Sequence, residues 1–375
     1  MQPPPARPGD PFEAIDTPAL IVDLDRLNAN LDMMAAHARA NGYCLRPHAK
    51  THKSPVIGRM QIQRGAVGVC VQKVSEAEIM IEGGVGDVLV SNEVASPRKL
   101  ARLAQAARQA RVGVCVDDAS VVSALSRAAS AAGAEIQVLV EIDVGQGRCG
   151  VVTPEDALVL GRQAAAASGL RLRGIQAYHG SAQHIHDIEE RRRVVTDVAG
   201  IAARTRDLFL ENGLACDIIG GAGTGTFTLD ADLSVHTELQ PGSYIFMDAD
   251  YGGLPIADPK MRFEQALFVL SHVMSRPVAG RAVIDAGHKA SAIDSGLPAP
   301  YGLTGVAYVN ASDEHGVLEG ADDALPGLGE RVLLVPGHCD PTVNLHDHYV
   351  AVRGLGGPQP IVEAVWPVAA RGAGF

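Results

Sequence analysis

Val112-Gly-Val-Cys-Val-Asp117 and Ile136-Gln-Val-Leu-Val-Glu-Ile-Asp143, separated by the alanine-rich run Ala119 to Ala132, decide the fold of this chain. Continuous apolar strands bracketing an amphipathic helix are the mark of a parallel sheet whose strands are buried on both faces. The same alternation extends in both directions. Further strand candidates are Ala19-Val22, Ala66-Val71, Asp87-Ser91, Leu172-Ala177, Asp217-Ile219 and Ser243-Met247. Helical patterns lie at Ser75-Glu82, Ser96-Ala110, Thr153-Ala167 and Asp187-Glu211. Ser96 and Thr153 stand where capping residues are favoured, and Asp156 follows Thr153 three residues on. Roughly eight such units before residue 258 fit a (β/α)8 barrel better than an open doubly wound sheet.

After residue 260 the rhythm changes. Ala266-Val273, Ala282-Asp285, Gly305-Val309, Arg331-Val335, Tyr349-Val352 and Pro360-Val365 read as strands with turns and no helices between them. This predicts a mostly antiparallel β-domain. The chain therefore divides into a flexible Pro-rich leader over 1–14, a barrel over 15–258 and a β-domain over 259–375, which the N-terminal strand could join.

The 375 residues are 47% hydrophobic and only 4% aromatic, so a large core must be built from Ala, Val, Leu and Ile. A net charge of -11 argues against nucleic-acid and anionic-membrane surfaces. No apolar run approaches the roughly 20 residues of a membrane span. The leader lacks a basic n-region and an apolar h-region, so it does not read as a signal peptide. The six cysteines are scattered without zinc-finger spacing, which fits free thiols in a reducing cytoplasm.

Candidate chemistry falls at strand ends, where a barrel keeps its active site. In Arg46-Pro-His-Ala-Lys-Thr-His-Lys53, the residues His48, Lys50 and His52 sit two apart and leave an extended segment on one face. Burial and neighbouring positive charge can lower a lysine pKa, and a neutral amine suits carbonyl and pyridoxal phosphate (PLP) chemistry. A basic strand end facing solvent would show the same residues. Arg148 follows the Ile136-Asp143 strand, and Tyr178, His179 and His184 follow Leu172-Ala177. Gly220-Gly-Ala-Gly-Thr-Gly-Thr226 is a glycine-rich turn whose N–H groups, with the hydroxyls of Thr224 and Thr226, suit an anion. Pro241-Gly-Ser-Tyr244 is a second such turn one unit later, and the pair matches the usual phosphate site of a barrel. In Val335-Pro-Gly-His-Cys-Asp-Pro341, His338 and Asp340 project to one side if the backbone is extended, and could share a metal ion. A turn capped by Asp340 is the plainer reading.

Taken together, the Arg46-Lys53 run, Gln72-Lys-Val-Ser-Glu-Ala77, Gly145-Gln-Gly-Arg-Cys-Gly150, Gln176-Ala-Tyr-His-Gly180, the Gly220-Thr226 turn, Thr237-Glu-Leu-Gln-Pro-Gly-Ser-Tyr244 and His338-Cys-Asp340 resemble the D-threonine aldolase family. That family stands among the alanine-racemase-like fold type III PLP enzymes, beside D-serine dehydratase and D-3-hydroxyaspartate enzymes. The resemblance runs from about residue 15 to the C-terminus. It implies that Lys50 holds PLP covalently and that Arg148 faces the pyridine nitrogen. Gln72, Tyr178, Gly223, Thr224, Gly242, Ser243 and Tyr244 would be further cofactor contacts. His338 and Asp340 would hold the divalent ion, and His184 would stand near the substrate hydroxyl as a base. It also implies a homodimer acting on small D-amino acids.

An arginine cannot surrender its proton, so the ring nitrogen it faces stays unprotonated and the ring is a weaker electron sink. A metal acting on the β-hydroxyl is then useful for breaking Cα–Cβ. With Asp340 rather than a thiolate, the pair favours a hard, labile ion, Mn²⁺ first, with Co²⁺ or Mg²⁺ as alternatives. The expected reaction is retro-aldol cleavage of D-threonine to glycine and acetaldehyde. D-3-hydroxyaspartate cleavage and dehydration of D-serine or D-3-hydroxyaspartate to a 2-oxo acid and ammonia are the alternatives. A racemase would leave His338 and Asp340 idle, and a PLP carrier would not need the β-domain.

Overall fold

The computed structural model describes residues 3–375. Seventeen strands form two sheets. The first strand is β1 (Ala19–Asp23), followed by β2 (Cys44–Leu45), β3 (Val69–Val71), β4 (Asp87–Glu93), β5 (Arg111–Val116), β6 (Ile136–Glu141), β7 (Leu170–Gln176), β8 (Ile218–Gly221) and β9 (Glu238–Leu239). Then come β10 (Leu267–Val278), β11 (Arg281–Ile284), β12 (Ala299–Pro300), β13 (Val306–Ala311), β14 (Gly316–Gly320), β15 (Arg331–Val335), β16 (His348–Arg353) and β17 (Ile361–Pro367). The helices are α1 (Leu24–Ala40), α2 (Pro55–Gln63), α3 (Val74–Glu82), α4 (Pro97–Ala106), α5 (Ala119–Ala132), α6 (Pro154–Ala166), α7 (Ile188–Glu211), α8 (Phe227–Ala231), α9 (Ala249–Gly252) and α10 (Cys339–Val343).

Eight parallel strands in the order β2-β9-β8-β7-β6-β5-β4-β3 make the barrel. A parallel bridge from His48 to Cys70 closes it, with Cys70 N–H donating to Pro47 O at 2.8 Å. One face of the strands packs on the helices through Val, Leu and Ala. The barrel interior holds a small cluster of Cys70, Leu89, Cys115 and Leu139. Local chemistry sets the helix ends. Pro55, Pro97 and Pro154 open α2, α4 and α6, where a missing N–H costs nothing. Asp118 accepts from Ser120 and Val121 N–H at the head of α5, and Gly133 ends that helix in the left-handed region. Thr153 Oγ1 accepts from Asp156 N–H at 3.1 Å at the start of α6, as its spacing predicts.

One open alternative is decided, since the N-terminal strand joins the β-domain, and two expectations are corrected. Ala19–Asp23 is not a barrel strand: it pairs antiparallel with β10 and parallel with β16, inside the C-terminal sheet. The barrel's first strand is instead the two-residue β2, too short to register as a strand in a hydrophobic pattern. Ser243–Ile245 is a 3-10 turn, its place in the barrel being taken by β9. The leader is tied down where described, since Gly9 N–H donates to Val362 O at 2.8 Å, Phe12 N–H to Pro360 O at 3.1 Å, and Ala6 is buried.

The C-terminal sheet runs β13-β14-β11-β10-β1-β16-β17, with β15 on β10 and β12 on β15. Its pairings are antiparallel except β1 with β16. Among the described residues no helix is long and apolar enough to cross a membrane.

Candidate active site

The C-terminal ends of the barrel strands and the β-domain enclose a cavity of about 340 Å³. Its wall includes Lys50, Arg148, Tyr178, His184, Gly223, Thr224, Gly242, Ser243, His338 and Asp340, drawn from six separate stretches of chain. Gln72 and Tyr244 do not line it. The Gln72 amide lies 2.8 Å from His48 Nε2 and acts behind that ring. The Tyr244 ring is buried against Phe263, its hydroxyl 3.3 Å from Gln61 Nε2, and only its N–H turns to the site, donating to Thr224 Oγ1 at 3.1 Å.

The backbone after β2 does not stay extended. Lys53 N–H donates to Ala49 O at 2.7 Å, so residues 49–53 form a turn, with Lys53 at a φ of +49°. His48 and Lys50 face the cavity while His52 is buried outside it. Lys50 N–H donates to His48 Nδ1 at 3.3 Å, and His48 Nε2 lies 2.8 Å from Gln72 Nε2 and 3.2 Å from Ser91 Oγ. Burial, followed by the Lys50 charge, drives the His48 imidazole pKa well below its usual value. Burial pushes His52 down to about 3. Both imidazoles are therefore neutral and add no positive charge beside Lys50. The Lys50 amine runs opposite to expectation: burial pulls its pKa down, but Asp340, with Oδ2 3.8 Å from Nζ, and Tyr178 outweigh that and raise it.

Arg148 stands 3.7 Å from Glu141 Oε1 at the end of β6. Burial, then the adjacent Glu93 carboxylate, lifts the Glu141 carboxyl to about 8, so it keeps its proton at neutral pH. Around the glycine turn, Thr226 is turned inward: its Oγ1 accepts from Gly223 N–H at 3.1 Å and Gln183 Nε2 at 3.2 Å, and it is not available to a ligand. Among the described residues the N–H groups of Thr224, Gly242 and Ser243 meet no protein acceptor. A Cβ on Gly223 would lie 2.4 Å from Gln183 Oε1, and one on Gly242 2.6 Å from Thr51 Oγ1, so a side chain at either glycine would displace a neighbouring polar group of the turn. An amine, a guanidinium and three free N–H groups suit a cofactor bearing an aldehyde and a phosphate. The cavity volume falls within the roughly 300–1,000 Å³ of small-molecule sites.

His338 and Asp340 meet through a different geometry from the extended one. β15 ends at Val335, and His338 is the residue before α10, with Nε2 4.0 Å from Asp340 Oδ1. That carboxylate oxygen is buried without a hydrogen-bond partner, an arrangement that costs energy unless a cation or donor completes it. His338 Nδ1 is held by Asp248 Oδ2 at 2.8 Å, so the other nitrogen is left to bind. The donor set of one imidazole nitrogen and one hard oxygen fits a divalent ion. Cys339 points into the core.

Several residues escaped the sequence reading: Gln240 on the wall, Tyr251 between His184 and His338, and the carboxylates Asp248 and Asp250. Asp250 Oδ2 lies 2.7 Å from His184 Nδ1. The repeat Asp248-Ala-Asp250, just beyond the second glycine turn, was a signal available in the sequence.

Residues 22–250 match the model of the alanine racemase N-terminal domain, and residues 266–352 that of a putative serine dehydratase domain. The chain is 49% identical over 371 residues to a D-threonine aldolase of an Arthrobacter species, covering 99% of this chain and 96% of that protein. It is 46% identical over 377 residues to a 3-hydroxy-D-aspartate aldolase of Paracoccus denitrificans, with the same coverage. The crystal structure of a D-threonine aldolase from Filomicrobium marinum superposes with a TM-score of 0.97 at 50% identity, each chain covered completely. A chain with this barrel, this β-domain and this degree of identity over its length belongs to the D-threonine aldolase family, aldehyde-lyases built on the alanine racemase architecture.

Proposed function

We propose that the chain cleaves D-configured β-hydroxy-α-amino acids, D-threonine giving glycine and acetaldehyde, with PLP at Lys50 and a divalent ion, Mn²⁺ by preference, at His338 and Asp340. The observation that carries this reading is the meeting in one cavity of the Lys50 amine, the His338–Asp340 donor pair and the His184 imidazole. PLP, when bound, supplies the electron sink for the charge left at Cα, and the ion a Lewis acid for the β-oxygen.

The chain's own residues do the rest. Arg148 would donate to the ring nitrogen, and its guanidinium keeps that proton. Thr224, Gly242 and Ser243 offer N–H groups to the phosphate. His184 takes the proton from the β-hydroxyl as Cα–Cβ breaks, and a proton returned to Cα completes glycine. Lys50 would hold the cofactor through its amine.

Two experiments test the reading. His184→Ala is expected to lower kcat by about 10²–10⁴-fold, as for a positioned general base, while cofactor absorbance is retained. Unchanged activity in that variant would remove His184 from the mechanism. Second, the protein with PLP, Mn²⁺ and D-threonine, with and without chelator, should form glycine and acetaldehyde in a chelator-sensitive way. Formation of 2-oxobutyrate and ammonia would instead make it a dehydratase. D-3-hydroxyaspartate belongs in the same assay, because the 46% identical relative is named for that substrate. We also propose a homodimer, and gel filtration returning a fully active monomer would refute it.

A further inference from the structure

One turn of chain aims two carboxylates at two imidazoles. Asp248, fully buried ahead of α9, accepts from Cys339 N–H at 2.9 Å and pairs with His338 Nδ1 at 2.8 Å through the same Oδ2. Two residues on, Asp250 Oδ2 stands 2.7 Å from His184 Nδ1. The backbone of this turn is fastened to the loop that carries His338. Ala249 N–H donates to Pro336 O at 3.0 Å and Asp250 N–H to Gly337 O at 3.2 Å. Tyr251 lies between the rings, with centroids 5.3 Å from His184 and 6.3 Å from His338. His184 comes from the barrel and His338 from the β-domain, so the turn is where the two halves of the chemistry are registered against each other.

We propose that Asp250 is the positioning residue of His184, and that the Asp248–Asp250 turn sets the distance between the base and the metal-binding pair. The inference rests on the reading of His184 as the base. An Nδ1–H donated to Asp250 places the lone pair of His184 on Nε2, the tautomer a base needs. The carboxylate also stabilises the imidazolium formed when His184 takes a proton, as an aspartate does for its histidine in a catalytic triad. The competing role for Asp250 is that of a metal ligand, because ligand atoms of Asp248, Asp250 and His338 lie within 4.8 Å of one another. Against it, Asp248 Oδ2 and His338 Nδ1 are occupied by each other, and Asp250 Oδ2 by His184.

The test compares Asp250→Asn, Asp248→Asn, His184→Ala and the His184→Ala/Asp250→Asn pair. It reads kcat and KM for D-threonine in the PLP-loaded enzyme, and the Kd for Mn²⁺ by titration. Asp250→Asn should lower kcat by about 10–100-fold, leave KM and the Mn²⁺ Kd within about twofold, and cost nothing further once His184 is gone. Asp248→Asn should weaken Mn²⁺ binding by about 10–100-fold. A Mn²⁺ Kd raised about tenfold or more by Asp250→Asn would make Asp250 a ligand and overturn the proposal. Losses that simply multiply in the double variant would overturn it too, by making Asp250 act independently of His184. Wild-type kcat in His184→Ala alone would strike the base assignment itself, and the positioning role with it. Because that result appears in a different variant, the two failures are told apart.

Discussion

Lys50 shows how the same residue type answers to its neighbours rather than to its sequence context. The flanking histidines were expected to press its proton off, yet burial makes both of them neutral, and the Asp340 carboxylate decides the direction instead. Asp340 lies 290 residues away in sequence, which is why the run Arg46–Lys53 identified the amine but misjudged its charge. The repeat Asp248-Ala-Asp250 was visible in the sequence, but its partners His338 and His184 were not, because they lie 90 and 66 residues away along the chain. Glu141 carries a prediction at this scale. Burial, then the Glu93 carboxylate, pushes its carboxyl pKa up to about 8, against roughly 4.3 for a free glutamate, so the native state holds the proton that the unfolded chain gives up. The stability it contributes is complete below the lower value and is lost as pH rises through the higher one, at no more than ~1.4 kcal/mol per pH unit. Glu141→Gln should therefore flatten the fall in Tm between about pH 5 and about pH 8. A thermal-shift series that falls as steeply in the variant as in the parent would contradict this.

Elements were legible to the extent that they repeat a pattern. The helices α3 to α7 fall close to their expected spans because apolar spacing and capping residues mark them. Strands such as β5 and β6 were visible as unbroken apolar runs. The same signal could not say that Ala19–Asp23 lies in another sheet, because a strand buried on both faces reads alike in either place. The helix α10 was missed because its five residues, with Pro341 in the first turn, carry no period. Gly174 is an element-scale device of a different kind. It sits in β7 at a φ of +143°, where the register against β6 shifts, and a Cβ there would lie 2.0 Å from Ile218 O. Gly174→Ala combines backbone strain with a clash against the neighbouring strand β8, and should cost at least ~2 kcal/mol. Chemical denaturation of the variant, with an unfolding midpoint equal to that of the parent, would refute the assignment.

For the molecule as a whole, the barrel and the β-domain are not two successive beads. β1 precedes the barrel yet lies between β10 and β16, and α1 leads from it back toward β2. His338 and Asp340 ride on the β-domain while Lys50 and His184 belong to the barrel, so the cavity they line exists only when both are assembled. A chain ending at Gln265 would retain every barrel strand but leave both edges of β1 without partners. Such a fragment should be recovered as aggregate in light scattering, and a monodisperse species with native-like circular dichroism would show that the barrel stands alone.

The position of β1 also has a consequence for synthesis. Ala19 pairs with Leu270 and Leu20 with Tyr349, so on the ribosome the first strand made must wait for more than three hundred further residues before its second edge is covered. At translation rates of about 5–20 residues per second, that interval is on the order of 15 to 65 s. Until β10 emerges, the Leu20-Ile21-Val22 segment stands as an apolar strand without neighbours, and until β16 emerges it keeps one open edge, which makes β1 a stretch of the nascent chain in need of a chaperone.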